Sequence, residues 1–221
     1  MRLELLVFDW DGTLMDSEAR IVDCVRRAIA DVGAEPRGAD QIRDIIGLGL
    51  REAVLRLYPQ AEEGFVEAMS CAYRGHFLGD DAAASVLFPG ARTVVEGLFT
   101  EGYRLAVATG KGRRGLDKAL SATGLGTWFH ASRCADETRS KPHPQMLTEL
   151  MEALEVPPER TLMIGDTVYD LEMAHNAGAR GLAVSYGVHP LARLLDQGPA
   201  GHIDALGELP AWLERHIRTA P

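Results

Sequence analysis

The chain has few cysteines and no long hydrophobic run, and both shortages exclude a class of protein. Its 221 residues contain three widely separated cysteines and no Cys-x-x-Cys pair, unlike the dense, even-numbered set of a disulfide framework. No apolar stretch approaches the ~20 residues that a membrane-spanning helix requires. The N-terminus has neither a basic segment nor a small-residue cleavage site, so we expect no signal peptide and a cytoplasmic protein with reduced thiols.

The sequence also has fewer positively charged residues than negatively charged ones. Lysine and arginine together number 23 against 32 aspartates and glutamates, which gives a net charge of −9 and a pI near 5.3. This balance argues against a broad surface for nucleic acid or anionic membrane, although local charges could still meet a small anionic substrate. We therefore expect a small-molecule partner, no nucleic-acid or membrane partner, and a monomer or homodimer.

The hydrophobic pattern alternates between strand-like and helix-like segments over most of the chain. Strands are predicted near 3–8, 104–109, 129–133, 161–164 and 181–184, with helices between them. Such alternation is typical of an α/β fold with a Rossmann-like parallel sheet that carries helices on both faces. Residues 16–85 contain only helical patterns, broken at 47–49 and 58–59, so we predict an α/β core at 1–15 and 86–221 with a small all-helical insert at 16–85.

Four polar motifs follow or precede these predicted strands. Because ligands bind beyond the carboxyl ends of parallel strands, we expect the four motifs to share one cleft. The motifs are Asp9-Trp10-Asp11-Gly12-Thr13, Thr109-Gly110-Lys111, Ser140-Lys141-Pro142 and Gly165-Asp166-Thr167-Val168-Tyr169-Asp170.

Carboxylates gathered in this way would raise one another's pKa and resist ionising together. A divalent cation relieves the conflict, and a few hard oxygen ligands suit Mg²⁺, which commonly shares its remaining positions with a phosphate. Thr109, the amide of Gly110 and Lys141 could then donate to phosphate oxygens. The pattern thus predicts a magnesium-assisted phosphate site.

The four motifs, in this order and at this spacing, resemble those of the haloacid dehalogenase superfamily over nearly the whole chain. The helical insert is similar to the superfamily's small helical cap, which follows the first strand. The segments Asp-Gly-Thr-Leu-Met-Asp-Ser, Lys-Pro-His-Pro and Ile-Gly-Asp-Thr look most like the phosphoglycolate phosphatase-like branch.

The resemblance implies a role for each catalytic residue. Asp9 would attack phosphorus and form an aspartyl-phosphate. Asp11 would protonate the leaving alcohol and then accept a proton from the hydrolytic water. Thr109 and the amide of Gly110 would hold the phosphoryl group, and Lys141 would neutralise charge between nucleophile and phosphate.

The resemblance also implies a metal site. Mg²⁺ would bind the carboxylates of Asp9 and Asp166 and the backbone carbonyl of Asp11. Asp170 would position Lys141 or a metal-bound water. Arg43, near the glycine break of the insert, is a candidate for contacting an anionic part of the substrate.

Other interpretations of single motifs explain less of the sequence. An EF-hand calcium loop places its glycine three positions after the second acidic ligand, whereas Gly12 follows Asp11 directly. Residues 110–115 spell a dinucleotide-type Gly-x-Gly-x-x-Gly with Asp136 downstream, but that interpretation leaves the acidic motifs unused. The cationic side chains of this stretch, at 111, 113 and 114, are predicted to be mainly solvated, and the alternative is that they steer anions toward the cleft.

Within the superfamily, the sequence favours phosphoester hydrolysis. A phosphonate hydrolase needs a lysine from the cap, and residues 14–88 contain none; a true dehalogenase lacks the second acid, which here is Asp11. A phosphosugar mutase stays open, although mutases generally have Gly-Val where this chain has Gly12-Thr13. A non-catalytic phosphate-binding or regulatory protein also stays open. The prediction is a Mg²⁺-dependent phosphomonoesterase acting on small metabolites such as phosphoglycolate or sugar phosphates.

Overall fold

Strands and helices alternate along the computed structural model, which describes residues 3–79 and 85–217. The strands are β1 (Leu5–Phe8), β2 (Met15–Asp16), β3 (Val86–Leu87), β4 (Arg104–Thr109), β5 (Ala131–Cys134), β6 (Thr161–Gly165), β7 (Arg180–Val184) and β8 (His202–Ile203). The helices are α1 (Glu18–Asp31), α2 (Ala39–Arg43), α3 (Leu50–Leu57), α4 (Glu63–Leu78), α5 (Ala91–Thr100), α6 (Arg113–Thr123), α7 (Gln145–Ala153), α8 (Val168–Asn176), α9 (Leu191–Leu195) and α10 (Leu209–Ile217).

Six of the strands form one parallel sheet in the order β5-β4-β1-β6-β7-β8. All four residues of β1 are buried, because this strand lies between β4 and β6 with helices over both faces. From β1 the chain continues outward to β4 and β5, and it then returns to the opposite side of β1 as β6. The order of the strands therefore reverses beside β1, and such a switch point opens a crevice at the carboxyl ends of the strands.

Alternate residues of β1 point to opposite faces of the sheet, as strand geometry requires. Leu6 and Phe8 belong to a buried cluster with side chains of α5 and α10, whereas Leu5 and Val7 pack with side chains of α7 and α8. The predicted parallel sheet with helices on both faces is confirmed.

Helices α1–α4, which we call the helical insert (Glu18–Leu78), have an apolar cluster of their own. Ile21, Val22, Val25 and Ile29 lie on one face of α1 at helical spacing and pack against residues of the other insert helices. The predicted breaks at 47–49 and 58–59 fall between α2 and α3 and between α3 and α4. The insert thus buries its apolar faces among its own helices.

The elements that the sequence did not predict are short. β2 and β3 form a two-residue antiparallel pair beside the helical insert, and β8 and α9 contain two and five residues. Elements of this length show too few periods for a hydrophobic pattern to identify them. Residues 1–2 and 218–221 of the predicted core and residues 80–84 of the predicted insert lie outside the described residues. No helix within the described part of the chain is both long and apolar enough to cross a membrane.

Candidate active site

Three aspartates and one lysine meet, fully buried, at the carboxyl edge of the sheet. Asp9 directly follows β1, Asp166 directly follows β6, Asp170 lies in the first turn of α8, and Lys141 comes from the loop before α7. Their side chains are at most 1% exposed. Carboxylate oxygens of the three aspartates lie within 4.8 Å of one another. The sheet topology thus brings together residues from three of the predicted motifs.

Lys141 connects two of these carboxylates. Its Nζ lies 2.8 Å from Asp9 Oδ1 and 2.6 Å from Asp170 Oδ1. Burial alone would lower the pKa of Lys141, but the charges of Asp170 and Asp9 raise it above its usual value. The ammonium group is therefore charged and fixed between the two acids.

Asp166 is held by a hydroxyl and a backbone amide from distant parts of the chain. The Thr13 hydroxyl donates to Oδ1 at 2.9 Å, and the Val188 amide donates to Oδ2 at 2.9 Å. Two glycines allow this close packing: a Cβ built on Gly12 would lie 2.1 Å from Asp166 Oδ2, and one on Gly187 would lie 2.2 Å from Asp166 Cβ. Gly12 also has a φ of +84°, which disfavours other residues.

Asp170 is fixed at the N-terminus of α8. Its Oδ2 accepts hydrogen bonds from the Thr167 amide at 3.1 Å and the Thr167 hydroxyl at 2.7 Å, while Oδ1 accepts from Lys141. The Val168 amide donates to Nδ1 of the buried His189 at 3.1 Å. Burial, followed by the nearby charge of Arg193, lowers the pKa of His189 to about 4, so this imidazole is neutral near pH 7.

The buried acids carry more negative charge than Lys141 can balance. Burial, with the charges of Asp170 and Asp166, raises the pKa of Asp9 well above its usual range. Burial and the charge of Asp170 raise the pKa of Asp166 to about 7. Asp9 Oδ2 has no hydrogen-bond donor among the described residues, although it is buried. Three crowded carboxylates and an unpartnered oxygen fit a divalent cation, which would supply the missing positive charge.

Asp11 lies at the same edge but has different partners. Lys111 Nζ donates to its two carboxylate oxygens at 2.9 and 2.8 Å, and the Ser17 hydroxyl donates to Oδ1 at 2.6 Å. The Lys111 ammonium also lies 4.3 Å from the centre of the Phe77 ring, in α4 of the helical insert. The prediction that Lys111 is mainly solvated is therefore wrong, since its side chain is only 8% exposed.

The end of β4 completes one wall of the cleft. Thr109 is buried and its Oγ1 accepts a hydrogen bond from the Lys111 amide at 3.2 Å. Thr109 and Gly110 line the same cavity as Asp9 and Asp11. A Cβ on Gly110 would lie 2.6 Å from the carbonyl oxygens of residues 47 and 48, so the helical insert approaches the core backbone closely here.

The two remaining sequence candidates, Arg43 and Asp136, do not belong to the buried cluster, although Asp136 lines the cavity. Arg43 pairs with Glu18 at 2.6 Å and Asp40 at 2.8 Å, and it is not among the residues that line the cavity. Asp136, the acid of the dinucleotide-type pattern, accepts hydrogen bonds from the Arg113 amide at 2.9 and 3.1 Å. This acid therefore satisfies the first turn of α6, which leaves no need for a ribose partner.

The loop that follows β7 was not identified as part of the site. Its Tyr186 hydroxyl donates to the Thr13 carbonyl at 2.9 Å, and Gly187, Val188 and His189 contact Asp166 or α8 as described above. The Tyr186 hydroxyl and His189 Nδ1 are side-chain atoms, whereas the Val188 amide is a backbone group that almost any residue type could supply. The one sequence signal was the position of the loop directly after a parallel strand.

The parallel α/β fold and the buried acids at its carboxyl edge are typical of hydrolases of the haloacid dehalogenase type. Residues 6–184 match the family described as haloacid dehalogenase-like hydrolase, and the chain belongs to that family.

Relatives and solved structures agree with this assignment. The chain is 35% identical over 214 residues to "Probable phosphatase IndB" of Dickeya dadantii, covering 93% of this chain and 91% of that protein. It is 29% identical to a phosphoglycolate phosphatase of Pseudomonas fluorescens, covering 95% of this chain and 80% of that one. A haloacid dehalogenase-like hydrolase from Bacteroides fragilis superposes with a TM-score of 0.87 at 26% identity, covering 94% of this chain and all of that one. The predicted resemblance is confirmed.

Proposed function

We propose that this protein is a Mg²⁺-dependent phosphomonoesterase that acts on small phosphorylated metabolites, the class that includes phosphoglycolate and sugar phosphates. The observation that carries the proposal is Asp9, a buried carboxylate whose Oδ2 has no donor among the described residues and which lines a cavity shared with Asp11, Thr109 and Gly110. The similarity to a protein named phosphoglycolate phosphatase supports the same class of reaction.

In the first step, a carboxylate oxygen of Asp9 attacks phosphorus, and the bond between phosphorus and the leaving oxygen breaks. Asp11 gives its proton to the leaving alcohol. Thr109 and the amide of Gly110 hold the phosphoryl oxygens, and Lys141, which lies 2.8 Å from Asp9 Oδ1, offsets the negative charge.

In the second step, water attacks the aspartyl-phosphate while Asp11 accepts its proton, which releases phosphate and restores the Asp9 carboxylate. Asp11 is a carboxylate once it has given its proton to the leaving alcohol, and Lys111 then donates to both of its oxygens and holds it for the second transfer. The Ser17 hydroxyl adds a third hydrogen bond to the same carboxylate.

The carboxylates of Asp9 and Asp166 and the backbone carbonyl of Asp11 would hold the metal, with Asp170 positioning Lys141. When bound, Mg²⁺ would neutralise charge on the attacking carboxylate and the phosphoryl oxygens. The unpartnered Asp9 oxygen and the raised pKa of Asp166 support this assignment.

We further propose that residues 16–85 act as a cap over a core of residues 1–15 and 86–221. Contacts across the cleft support this role: the Gly49 amide donates to Ser140 Oγ at 2.8 Å, and the Tyr169 hydroxyl donates to the Asp44 carbonyl at 2.6 Å. A closed cap would exclude water during attack and open for product release.

The nucleophile is tested by comparing Asp9→Asn with Asp196→Asn, a control at an exposed position after α9. With p-nitrophenyl phosphate as substrate, Asp9→Asn is expected to lose at least about a thousandfold in kcat, because an amide cannot attack phosphorus. Asp196→Asn should match the wild type. Turnover by Asp9→Asn close to the wild-type rate would overturn the assignment.

The metal is tested by chelation. Activity should disappear in EDTA and return when Mg²⁺ is added in excess. Full activity after exhaustive chelation would contradict the metal proposal while leaving the nucleophile assignment intact.

We also propose a cytoplasmic location and a monomeric or homodimeric state. Cys24, Cys71 and Cys134 are all free thiols, which supports a reducing compartment. Cell fractionation tests the location and sedimentation velocity tests the state of assembly; a secreted protein or a larger oligomer would contradict these proposals.

A further inference from the structure

A single cavity of about 490 Å³ joins the catalytic side chains to the interior of the helical insert. Asp9, Asp11, Thr109 and Gly110 line the part that lies against the core. Cavities of about 300–1,000 Å³ typically hold ligands of drug size. The volume therefore accommodates a leaving group much larger than the two-carbon acid of phosphoglycolate.

The walls contributed by the helical insert are mainly apolar. They include Ile45, Leu50, Val54, Tyr73, Phe77 and Leu78. The rings of Tyr73 and Phe77 stack, with centroids 5.5 Å apart and planes inclined by 20°. An apolar group that enters this space gains by leaving water. A ligand hydroxyl that lies against these apolar side chains would lose water, with Ser70 and the Tyr73 hydroxyl among the few polar groups of this wall.

The cationic side chains of the cavity are poorly placed for a second anionic group deep inside. Lys111 is bound to Asp11 and lies over the Phe77 ring. Arg74 and Arg114 also line the cavity, but both are exposed and lie where it meets solvent. A short carboxylate beside the phosphate would therefore face apolar walls, which disfavours a charged group.

We infer that the substrate of this site is a phosphomonoester whose alcohol carries a flat apolar body, such as an aryl or heteroaryl ring, which lies between α3 and α4 of the helical insert. The inference rests on the proposed phosphomonoesterase function and narrows its substrate class. The phosphate lies against the core, and the ring fills the apolar part of the cavity.

The first experiment compares phenethyl phosphate with ethyl phosphate, phosphoglycolate and a hexose 6-phosphate, all esters of primary alcohols with similar leaving groups. We expect kcat/KM for phenethyl phosphate to exceed each of the others by about tenfold or more, because only its ring buries apolar surface. An equal or higher value for phosphoglycolate or the hexose phosphate would overturn the inference.

The second experiment assigns the preference to this cavity. In Leu50→Gln and in Leu78→Gln, the ratio of kcat/KM for phenethyl phosphate to that for ethyl phosphate should fall about tenfold. The ratio compares two substrates on one preparation, so any loss of folded enzyme cancels. Leu195→Gln, at a 46% exposed leucine of α9 outside the cavity, should keep the wild-type ratio. An unchanged ratio in both cavity variants would overturn the inference.

A binding measurement separates this inference from the proposed reaction. Calorimetry in the presence of Mg²⁺ should show phenethylphosphonate binding about tenfold more tightly than ethylphosphonate. If no ester is hydrolysed but phenethylphosphonate still binds more tightly than ethylphosphonate, the phosphomonoesterase proposal fails, whereas the inference that the cavity binds an apolar ring is supported. If both phosphonates bind equally, the inference fails whatever the enzyme hydrolyses.

Discussion

Gly187 matters to the site because it has no side chain, which lets its loop pack closely against Asp166. A Cβ at this position would lie 2.2 Å from Cβ of Asp166, so Gly187→Ala must displace either the loop or the carboxylate. We expect at least about a tenfold loss of Mg²⁺ affinity and activity, measured by titrating Mg²⁺ in the phosphatase assay. Gly97→Ala in α5 is the matched control, since nothing lies within 4 Å of the added Cβ. Equal behaviour of the two variants would contradict this account of Gly187.

Lys141 is both an electrostatic partner of the nucleophile and a buried charge in its own right. Lys141→Met would leave Asp9 and Asp170 without the ammonium group that lies 2.8 and 2.6 Å from them. Removing one partner of a buried ion pair costs about 3–5 kcal/mol, so the free energy of unfolding of the metal-free protein should fall by that order near pH 7.

Urea denaturation measures this loss, and Lys118→Met, at an exposed lysine of α6, is the control. The loss should shrink in acid, where protonation removes the unbalanced negative charge. A loss that is the same at both pH values would show that packing, and not charge, holds Lys141 in place.

At the scale of elements, the sequence predicted those helices and strands that are long enough to show a hydrophobic pattern. The 14 residues of α1 show a clear helical period, and β1 and β4 are continuous apolar runs typical of strands buried on both faces. The polar motifs could be placed together because parallel strands end at one edge of the sheet. The pairing of Lys111 with Asp11 could not be predicted, because it depends on how two loops 100 residues apart approach each other. The support of Asp166 by the loop after β7 also escaped prediction, because the Val188 amide has no residue-type signature.

Among the residues that the structure describes, few polar contacts join the helical insert to the core, and one of them is the hydrogen bond from Tyr169 of α8 to the Asp44 carbonyl. Tyr169→Phe removes this bond while keeping the ring. Loss of this hydrogen bond should make closure of the insert over the core less favourable by about 0.5–1.5 kcal/mol. KM should therefore rise roughly two- to tenfold, with little change in kcat. Steady-state kinetics measure the two constants separately.

Tyr58→Phe is a matched control, because the Tyr58 hydroxyl donates to the Glu35 carbonyl at 2.5 Å within the insert itself. It should leave KM unchanged. If Tyr169→Phe lowers the melting temperature but leaves KM at the wild-type value, the Tyr169 bond contributes to stability alone and not to closure.

For the molecule as a whole, the acidic residues divide into two groups with opposite effects. Surface acids such as Glu137 and Glu149 pair with arginines, which lower their pKa values. The buried acids Asp9 and Asp166 instead have raised pKa values, because burial and mutual repulsion oppose their ionisation. The net charge of the sequence could not reveal these two groups, because the sheet topology decides which acids are buried together at one edge. In the metal-free protein, repulsion among these buried acids therefore lowers the free energy of unfolding.

This repulsion predicts how stability depends on pH and Mg²⁺. The pKa of Asp166 is about 7 in the folded protein against 3.8 for an unperturbed aspartate, so between these values the folded metal-free state keeps a proton that the unfolded chain has released. The free energy of unfolding should therefore fall as pH rises through this window, by an amount on the order of a few kcal/mol. Asp166→Asn should remove that part of the slope, whereas Asp196→Asn should keep it.

Because Mg²⁺ competes with protons for the same carboxylates, millimolar Mg²⁺ should stabilise the wild type much more at about pH 7.5 than at about pH 5. Thermal denaturation at the two pH values, with and without Mg²⁺, measures both effects. In Asp166→Asn the stabilisation by Mg²⁺ should be small at either pH, because one of its proposed ligands has lost its charge. Equal stabilisation of the wild type at both pH values would contradict the coupling between metal and protons at the buried acids.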